Sequence, residues 1–387
     1  LYVSQAPHML FLQDTNGDDK ADVKKIVFTG FGTFDTHAGP SNLHYGFDNW
    51  IWGSVGYAGF KGKIGPDSVT FGQGFFRFKI DGSQLEHVTG TSNNTWGMAF
   101  NETGDVFGST ANNAHGWYMA IPNRYFQGGA HLRENGSRGT DTHKDMKPIT
   151  EHVRQVDVFG GFTAAAGHNF YTARAFPNQY WNSIAFVSEP TGHIVHQNRM
   201  CKNGTDYEDA ETIGAGFNLM AGADEWFAPV FAETGPDGAV WVVDWYSYII
   251  QHNPTPKGFE NGKGNAYDTD LRDFTHGRIY RVGYGKASVY TPMVLSKGRP
   301  AELVAALKND NMFWRMTAQR LLVERNNKDV VPQLVALVND TTVDEIGNNP
   351  AAIHALRVIE GLNALSDPLV VTILPSVLRH PNAHVRK

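Results

Sequence analysis

The chain of 387 residues has a single cysteine, Cys201, so these residues alone cannot form a disulfide, a CxxC zinc site or a CxxCH haem attachment. We interpret Cys201 as an unpaired thiol. No apolar run approaches the roughly 18 residues that a membrane-spanning helix needs. Positive charge is also scarce: 33 Lys and Arg stand against 39 Asp and Glu, for a net charge of −6. Because a nucleic-acid backbone attracts basic surfaces, we expect no nucleic-acid partner. Both ends of the chain look cut from a longer protein.

Glycine and aromatic residues are abundant instead. The sequence has 41 glycines and 18 prolines with only 19% charged residues, which is typical of a turn-rich, mainly β protein. A Gly/Asp/Asn turn followed by an apolar strand recurs up to about residue 285, most clearly in segments 47–53, 101–108 and 235–242. Intervals of roughly 50 to 80 residues suit four-stranded blades with long insertions. The sequence therefore predicts a six-bladed-type β-propeller over residues 1–290, with about five blades present and the sixth completed by residues upstream.

The period of the pattern changes near residue 295. Apolar residues then recur at the helical spacing i, i+3, i+4, and Pro332 stands where the first turn of a helix tolerates proline. We predict an all-α, HEAT-like solenoid of stacked helical hairpins over residues 295–387, with packing and protein contact as its role.

An acidic loop near the start of the chain is a candidate cation site. Asp14, Asn16, Asp18 and Asp22 supply oxygen atoms at its first, third, fifth and ninth positions, and the main-chain carbonyl of Lys20 is available. Calcium needs six to eight oxygen ligands around a tight turn. Two interpretations stay open, a structural calcium site and a solvated acidic turn.

A second candidate site lies in residues 35–56, DTHAGPSNLHYGFDNWIWGSVG, where His37 precedes the predicted innermost strand of a blade. The start of such a strand faces the central funnel. A neutral imidazole there could accept a proton from a sugar or alcohol hydroxyl while hydride leaves the same carbon. The alternative is a histidine that only anchors its loop. Asp244 ends another inner strand, where it could hold a histidine or a substrate hydroxyl, or cap a turn. Other polar residues placed around the same funnel are His168, Asn169, His252, His276 and Arg278.

These residues carry a family resemblance. Segment 35–56, together with segments 91–110, 224–246 and 275–282, resembles the soluble quinoprotein glucose and aldose-sugar dehydrogenases. The whole chain resembles more closely the planctomycete-type membrane-bound dehydrogenases, in which a propeller is followed by HEAT-like repeats and then by a haem-binding CxxCH domain.

The resemblance implies a role for each matching residue. His37 matches the general base, and Asn94 falls where the quinoproteins have an asparagine beside the cofactor, pyrroloquinoline quinone. Asn93 and Ala228 stand where that family has arginines. Because the quinone carries three carboxylates, these two replacements remove strong charge-assisted contacts. The predicted cofactor-facing residues are Asn93, Asn94 and Arg278.

Two functions from different classes follow. The first is a periplasmic or extracellular oxidoreductase module that oxidises a carbohydrate or alcohol and passes electrons to a c-type haem domain outside this chain, with a cytochrome or another protein docking on the helical repeats. The second is a catalytically silent scaffold that binds glycan or protein. A propeller hydrolase or lactonase would need convergent calcium ligands at the funnel, for which the sequence has no convincing set.

Overall fold

A computed structural model describes residues 1–112, 114–126, 136–156, 158–211, 217–252, 255–262, 266–285 and 290–387. These residues form a series of antiparallel sheets followed by α-helices, which confirms the mainly-β, propeller-like class and the helical C-terminal region. The number of blades, the solenoid and the domain limits stay predictions.

The first two sheets are antiparallel throughout. The first has the strand order β1-β2-β3, with bounds Tyr2–Gln5, His8–Gln13 and Val23–Thr29. The second has the order β4-β5-β8-β9, with bounds Pro40–Tyr45, Ile51–Val55, Gly74–Phe78 and Leu85–Thr89. A separate hairpin, β6-β7, is inserted between β5 and β8, with bounds Phe60–Ile64 and Asp67–Phe71.

Three more sheets follow in chain order. The third is β10-β11-β12-β13, with bounds Thr95–Phe100, Val106–Thr110, Trp117–Met119 and Ser137–Gly139. The fourth is β14-β15-β16-β17, with β18 also paired to β16, and bounds Ala166–Phe170, Ile184–Glu189, Ile194–Asn203, Asp206–Glu211 and Met220–Ala221. The fifth is β19-β20-β21, with bounds Pro229–Thr234, Val240–Asp244 and Arg278–Val282.

The recurring turns form the hairpins between the first two strands of these sheets. In the turn between β10 and β11, the Asn101 side-chain oxygen accepts hydrogen bonds from the backbone N–H groups of Thr103, at 3.0 Å, and Asp105, at 2.9 Å. Gly104 has a φ of 76°, a conformation that glycine adopts without steric cost. The turn residues therefore fix the hairpin that the sequence predicts.

The first strands of successive sheets lie side by side, β4 against β10, β10 against β14, and β14 against β19. Their approach is close: a Cβ atom at Gly97 of β10 would lie 1.6 Å from the carbonyl oxygen of Gly167 in β14. These four strands surround a central channel. Residues at their starts line its mouth, a cavity of about 240 Å³ that includes His37, Pro40, Thr95, Ala166 and Val230.

Six helices occupy the C-terminal part of the described residues: α1 Pro300–Ala306, α2 Met312–Arg325, α3 Val331–Asn339, α4 Pro350–Gly361, α5 Pro368–Val377 and α6 Ala383–Arg386. Proline occupies the first turn of α1, α3, α4 and α5, where its missing N–H has no helical partner to lose. Within the described part of the chain, no helix combines the length and the apolar character that crossing a membrane requires.

The helices pack on the end of the β body opposite the channel mouth. Leu303, Leu322 and Val358 share one hydrophobic core with Phe47, in the β4–β5 turn, and Phe100 of β10. At this far end, Met312, Phe313 and Met316 of α2 meet the last residues of the four inner strands around a cavity of about 200 Å³. Helix α2 therefore covers the far end of the channel.

Candidate functional site

The backbone of His37 is held at the channel mouth by two side chains at the start of the third sheet, Asn94 just before β10 and Trp96 within it. Asn94 Nδ2 donates to the His37 carbonyl oxygen at 2.9 Å, and Trp96 Nε1 donates to the same oxygen at 2.8 Å. Asn94 itself is buried. The structure thus brings together His37 and Asn94, two residues to which the family resemblance assigns roles in the same site.

The imidazole of His37 packs among other rings. Its centroid lies 4.2 Å from that of His252, 5.5 Å from Trp96 and 6.3 Å from Trp245. Burial, and next the neighbouring His252, lower the pKa of His37 to about 4. Among the described residues, neither ring nitrogen of His37 has a hydrogen-bond partner. At neutral pH the ring is therefore uncharged and able to accept a proton.

A buried carboxylate supports this histidine pair. Asp35 Oδ1 accepts a hydrogen bond from the backbone N–H of His37 at 2.8 Å, and Asp35 Oδ2 lies 3.0 Å from His252 Nε2. The Tyr57 hydroxyl also donates to Asp35 Oδ2. Burial raises the pKa of Asp35, but the hydrogen bonds from Tyr57, His37 and His252 outweigh it and leave that pKa below its usual value. A negative charge is thus held beside the two imidazoles.

Sequence reasoning missed Asp35 and Tyr57. Asp35 precedes His37 by two residues, a spacing at which an aspartate side chain commonly bonds the following backbone N–H, and that was the available signal. Tyr57 has no comparable signal, because it reaches Asp35 from the loop after β5.

His37 also lines a side pocket of about 100 Å³ next to the channel mouth. Both amide atoms of the buried Gln251 side chain, and Oδ1 of Asn94, lack a hydrogen-bond partner in the described ranges. Buried polar groups normally have partners, so these atoms are available to a polar ligand. The described residues that line the pocket include no arginine or lysine: His37, Tyr57, Asn93, Asn94, Trp96, Ala111, Asn112, Thr163, Ala164, Ile250, Gln251 and His252.

This set of donors does not fit pyrroloquinoline quinone. Asn93 Nδ2 donates to the Ala111 carbonyl oxygen at 3.3 Å, and Asn93 Oδ1 accepts from the Asn94 N–H at 2.7 Å. Ala228 is fully buried. The nearby cation Arg272 is committed to the backbone, with its guanidinium donating to the carbonyl oxygens of Ile249, Gln251 and Tyr267. No guanidinium among the described pocket residues is left to bind three carboxylates.

Asp244 lies outside the His37 pocket. Its Oδ1 accepts from the backbone N–H groups of Ala228 and Tyr246, both at 2.8 Å, so one oxygen caps the end of β20. The other, Oδ2, is buried and lies 3.9 Å from Arg278 Nη1. Trp245, the next residue, reaches the His37 ring, which links the two positions through a single side chain.

Arg278 lies apart from Asn93 and Asn94. Its guanidinium sits 3.9 Å from the centroid of the Tyr246 ring and donates to Asp224 Oδ2 at 3.1 Å. It lines a separate shallow pocket with Trp226 and His276. The structure therefore does not bring the three predicted cofactor-facing residues together.

The acidic loop satisfies most of its carboxylate oxygens internally. Asp14 accepts from the backbone N–H groups of Asn16, Gly17 and Asp19, and these bonds lower the pKa of Asp14. Asp18 Oδ1 accepts from the Lys20 N–H at 2.9 Å. Asp22 accepts from the backbone and hydroxyl of Thr15, at 2.8 and 2.7 Å. Calcium at Asp14, Asn16, Asp18, Lys20 and Asp22 stays a prediction.

The fold and the site define a class, a propeller-like β protein with a half-buried, uncharged histidine at the mouth of its channel and a helical region at the opposite end. The family model described as a domain of unknown function, DUF7133, matches residues 1–286, so the chain belongs to that family. No curated protein matches it significantly.

Solved structures similar to the chain include two aldose sugar dehydrogenases. One is the PQQ-bound aldose sugar dehydrogenase of Streptomyces coelicolor, with 14% identity over 73% of this chain and 74% of that one and a TM-score of 0.38. The other is the soluble aldose sugar dehydrogenase of Escherichia coli in its apo form, with 16% identity over 63% of this chain and 73% of that one and a TM-score of 0.38. The CxxCH-containing family stays a resemblance.

Proposed function

We propose that the His37 pocket binds a carbohydrate or alcohol and that the chain is the substrate-oxidising module of a dehydrogenase. The observation that carries this proposal is the uncharged, unpartnered His37 imidazole in a pocket whose other unpartnered groups are amides. Amide donors and acceptors pair with the hydroxyl groups of an uncharged polyol.

In the proposed reaction, His37 accepts the proton of a substrate hydroxyl as the carbon–oxygen bond becomes a carbonyl. The positive charge that forms on the imidazole is stabilised by the Asp35 carboxylate, which bonds the His37 backbone and lies against His252. Gln251 and Asn94 Oδ1 orient the other hydroxyl groups. The hydrogen on the same carbon would leave with its electron pair to a two-electron organic hydride acceptor outside this chain, which a c-type haem would then reoxidise in two one-electron steps.

We place the electron-accepting c-type haem in a further domain and the whole protein in the periplasm or outside the cell, as the resemblance implies. A full-length reading frame with a CxxCH segment and a secretion signal would support this part of the proposal. A frame without either would contradict it.

The second candidate, a silent scaffold that binds glycan, is favoured by one observation. Asn93 and Ala228 take the places of two cofactor-binding arginines, and Arg272 is bound to backbone carbonyls. A scaffold of this kind would keep the pocket amides and need no base.

The test is a His37→Gln variant of the full-length protein, assayed for reduction of an electron-accepting dye with a panel of aldoses and alcohols. Loss of a general base should lower kcat by about 100-fold or more. A matched control is His44→Gln, because His44 lies in β4, the strand that follows His37, but lines the cavity at the opposite end of that strand, against α2.

Two further readouts separate base from scaffold. Wild-type kcat/KM should stay constant down to about pH 5, because the pKa of His37 is lowered to about 4. The melting temperature of His37→Gln should stay close to that of the His44 variant. Unchanged activity in His37→Gln, with sugar still bound, would establish the scaffold instead.

A further inference from the structure

Three histidines outside the His37 pocket converge where the third and fourth sheets meet. His115 precedes β12, His143 follows β13, and His196 lies in β16. One ligand atom from each of the three lies within 4.8 Å of the others. No carboxylate-only or cysteine-containing group of this kind occurs in the described ranges.

The two innermost histidines are buried, each with one ring nitrogen unsatisfied. Nδ1 of His115 and Nε2 of His196 lack a hydrogen-bond partner in the part of the chain that the structure describes, and Nε2 of His115 lies against the Asp209 carboxylate. Such groups are rare in folded proteins, and a bound ion is one of the standard explanations. Burial, and next the neighbouring His143, lower the pKa of His115 to about 3, so this imidazole stays in the uncharged form that binds metals.

A carboxylate adjoins the cluster. Asp209 Oδ2 lies 3.2 Å from His115 Nε2 and accepts from Asn198 Nδ2 at 2.5 Å. Histidines that bind metals commonly have a carboxylate beside the second ring nitrogen, which orients the ring. Asp209 is in position to do this for His115.

We propose that His115, His143 and His196 bind one divalent transition-metal ion of the zinc type, with Asp209 positioning His115. Three imidazoles suit zinc, copper, nickel or iron and do not suit calcium, which takes oxygen ligands. In a tetrahedral zinc site with bonds of about 2.0 Å, ligand nitrogens lie about 3.4 Å apart. The three nitrogens therefore need only a small inward movement, which the half-buried His143 on its loop can supply.

The ion would brace the wall of the His37 pocket. The Phe162 ring stacks on His115 with centroids 4.3 Å apart and lies 5.3 Å from His196. Thr163 and Ala164, the next two residues, line the pocket, and their N–H groups both donate to the buried Glu189 carboxylate at 2.9 Å. Fixing the histidines fixes Phe162 and, through it, this segment.

The experiment titrates the full-length protein, first stripped with a chelator, with Zn²⁺ in competition with a chromophoric chelator and separately with Co²⁺. We expect one high-affinity ion per chain and visible Co²⁺ absorption of a four- or five-coordinate site. His143 is the least buried of the three ligands, so His143→Ala is the variant that puts the fold least at risk. This variant should bind the metal ion at least about 10-fold more weakly.

His152→Ala is the control for binding by surface histidines, because its side chain is 76% exposed and outside the cluster. It should bind as the wild type does. A second variant, His196→Asn, should also lose the ion, and equal melting temperatures of the stripped proteins would show that the fold is retained. Absence of stoichiometric binding, or wild-type affinity in His143→Ala, would overturn the proposal. The readout is metal content and absorption, so the result does not depend on the proposed dehydrogenase activity.

Discussion

A buried ion cluster joins the helical region to the β body, and its removal should be costly. Glu102, in the turn between β10 and β11, is fully buried and accepts from Arg315 Nη2 of α2 at 2.7 Å. It also accepts from both terminal nitrogens of Arg174, at 2.6 and 3.0 Å. One carboxylate therefore pairs with two guanidiniums, and Arg315 is itself fully buried.

Glu102→Gln keeps the size of the side chain and removes its charge. Arg174 retains Asp344 as a partner, at 3.2 Å, whereas Arg315 is left without a carboxylate that bonds it among the described residues. Breaking a buried pair by removing one partner typically costs about 3–5 kcal/mol, because the remaining charge stays desolvated. Arg315→Met should cost less, about 1.5–3 kcal/mol, since Glu102 then still has Arg174.

Urea denaturation followed by far-UV circular dichroism measures these free energies of unfolding. The matched control is Glu360→Gln, which breaks an exposed pair with Arg357 on α4 and should cost no more than about 0.5 kcal/mol. The reasoning fails if Glu102→Gln loses no more stability than Glu360→Gln, or if Arg315→Met is the more damaging of the two interface variants.

Two further predictions concern stability. Burial lowers the pKa of His115 to about 3 and that of His168 to about 4. Below pH 6.5 these two histidines therefore bind protons in the unfolded chain but not in the folded chain, so the free energy of unfolding falls as the pH drops towards 4. Between pH 7.5 and pH 5.5, these two histidines should lower the free energy of unfolding of the chelator-treated protein, measured by urea denaturation, by about 3 kcal/mol. Equal stability at both pH values would contradict their burial as neutral groups. Gly97→Ala should destabilise the fold by several kcal/mol, roughly 3 or more, because its Cβ would lie 1.6 Å from a carbonyl oxygen of the next inner strand. A melting temperature within two degrees or so of wild type would show that β10 and β14 are not so close.

Sequence patterns identified the elements whose signals are local. The turn of Asn101 and Gly104 forms the β10–β11 hairpin, and Pro332 lies in the first turn of α3, as predicted. Each depends on backbone preferences of a few neighbouring residues.

The site was predictable only in part. His37 and Asn94 came from a resemblance, and the structure joins them through one hydrogen bond. The sequence also placed His252 around the same funnel, and the structure puts it beside His37. Tyr57 and the three clustered histidines meet through contacts between distant segments, which leave no periodic pattern in the sequence. Arg278 was predicted to face the funnel and the cofactor, but its strand is the outermost of the three described in its sheet, and it lines another pocket.

Because α2 covers the far ends of the four inner strands, the open cavity is the one at their starts. Under the proposed function, substrate and product would therefore use the same mouth, and release of one would precede entry of the other. The inner strands β4 and β10 each have six residues and span about 20 Å, which separates His37 from any protein docked on the helices. Under the proposed function, a redox partner that collects electrons at short range would therefore have to approach the mouth rather than the helical surface.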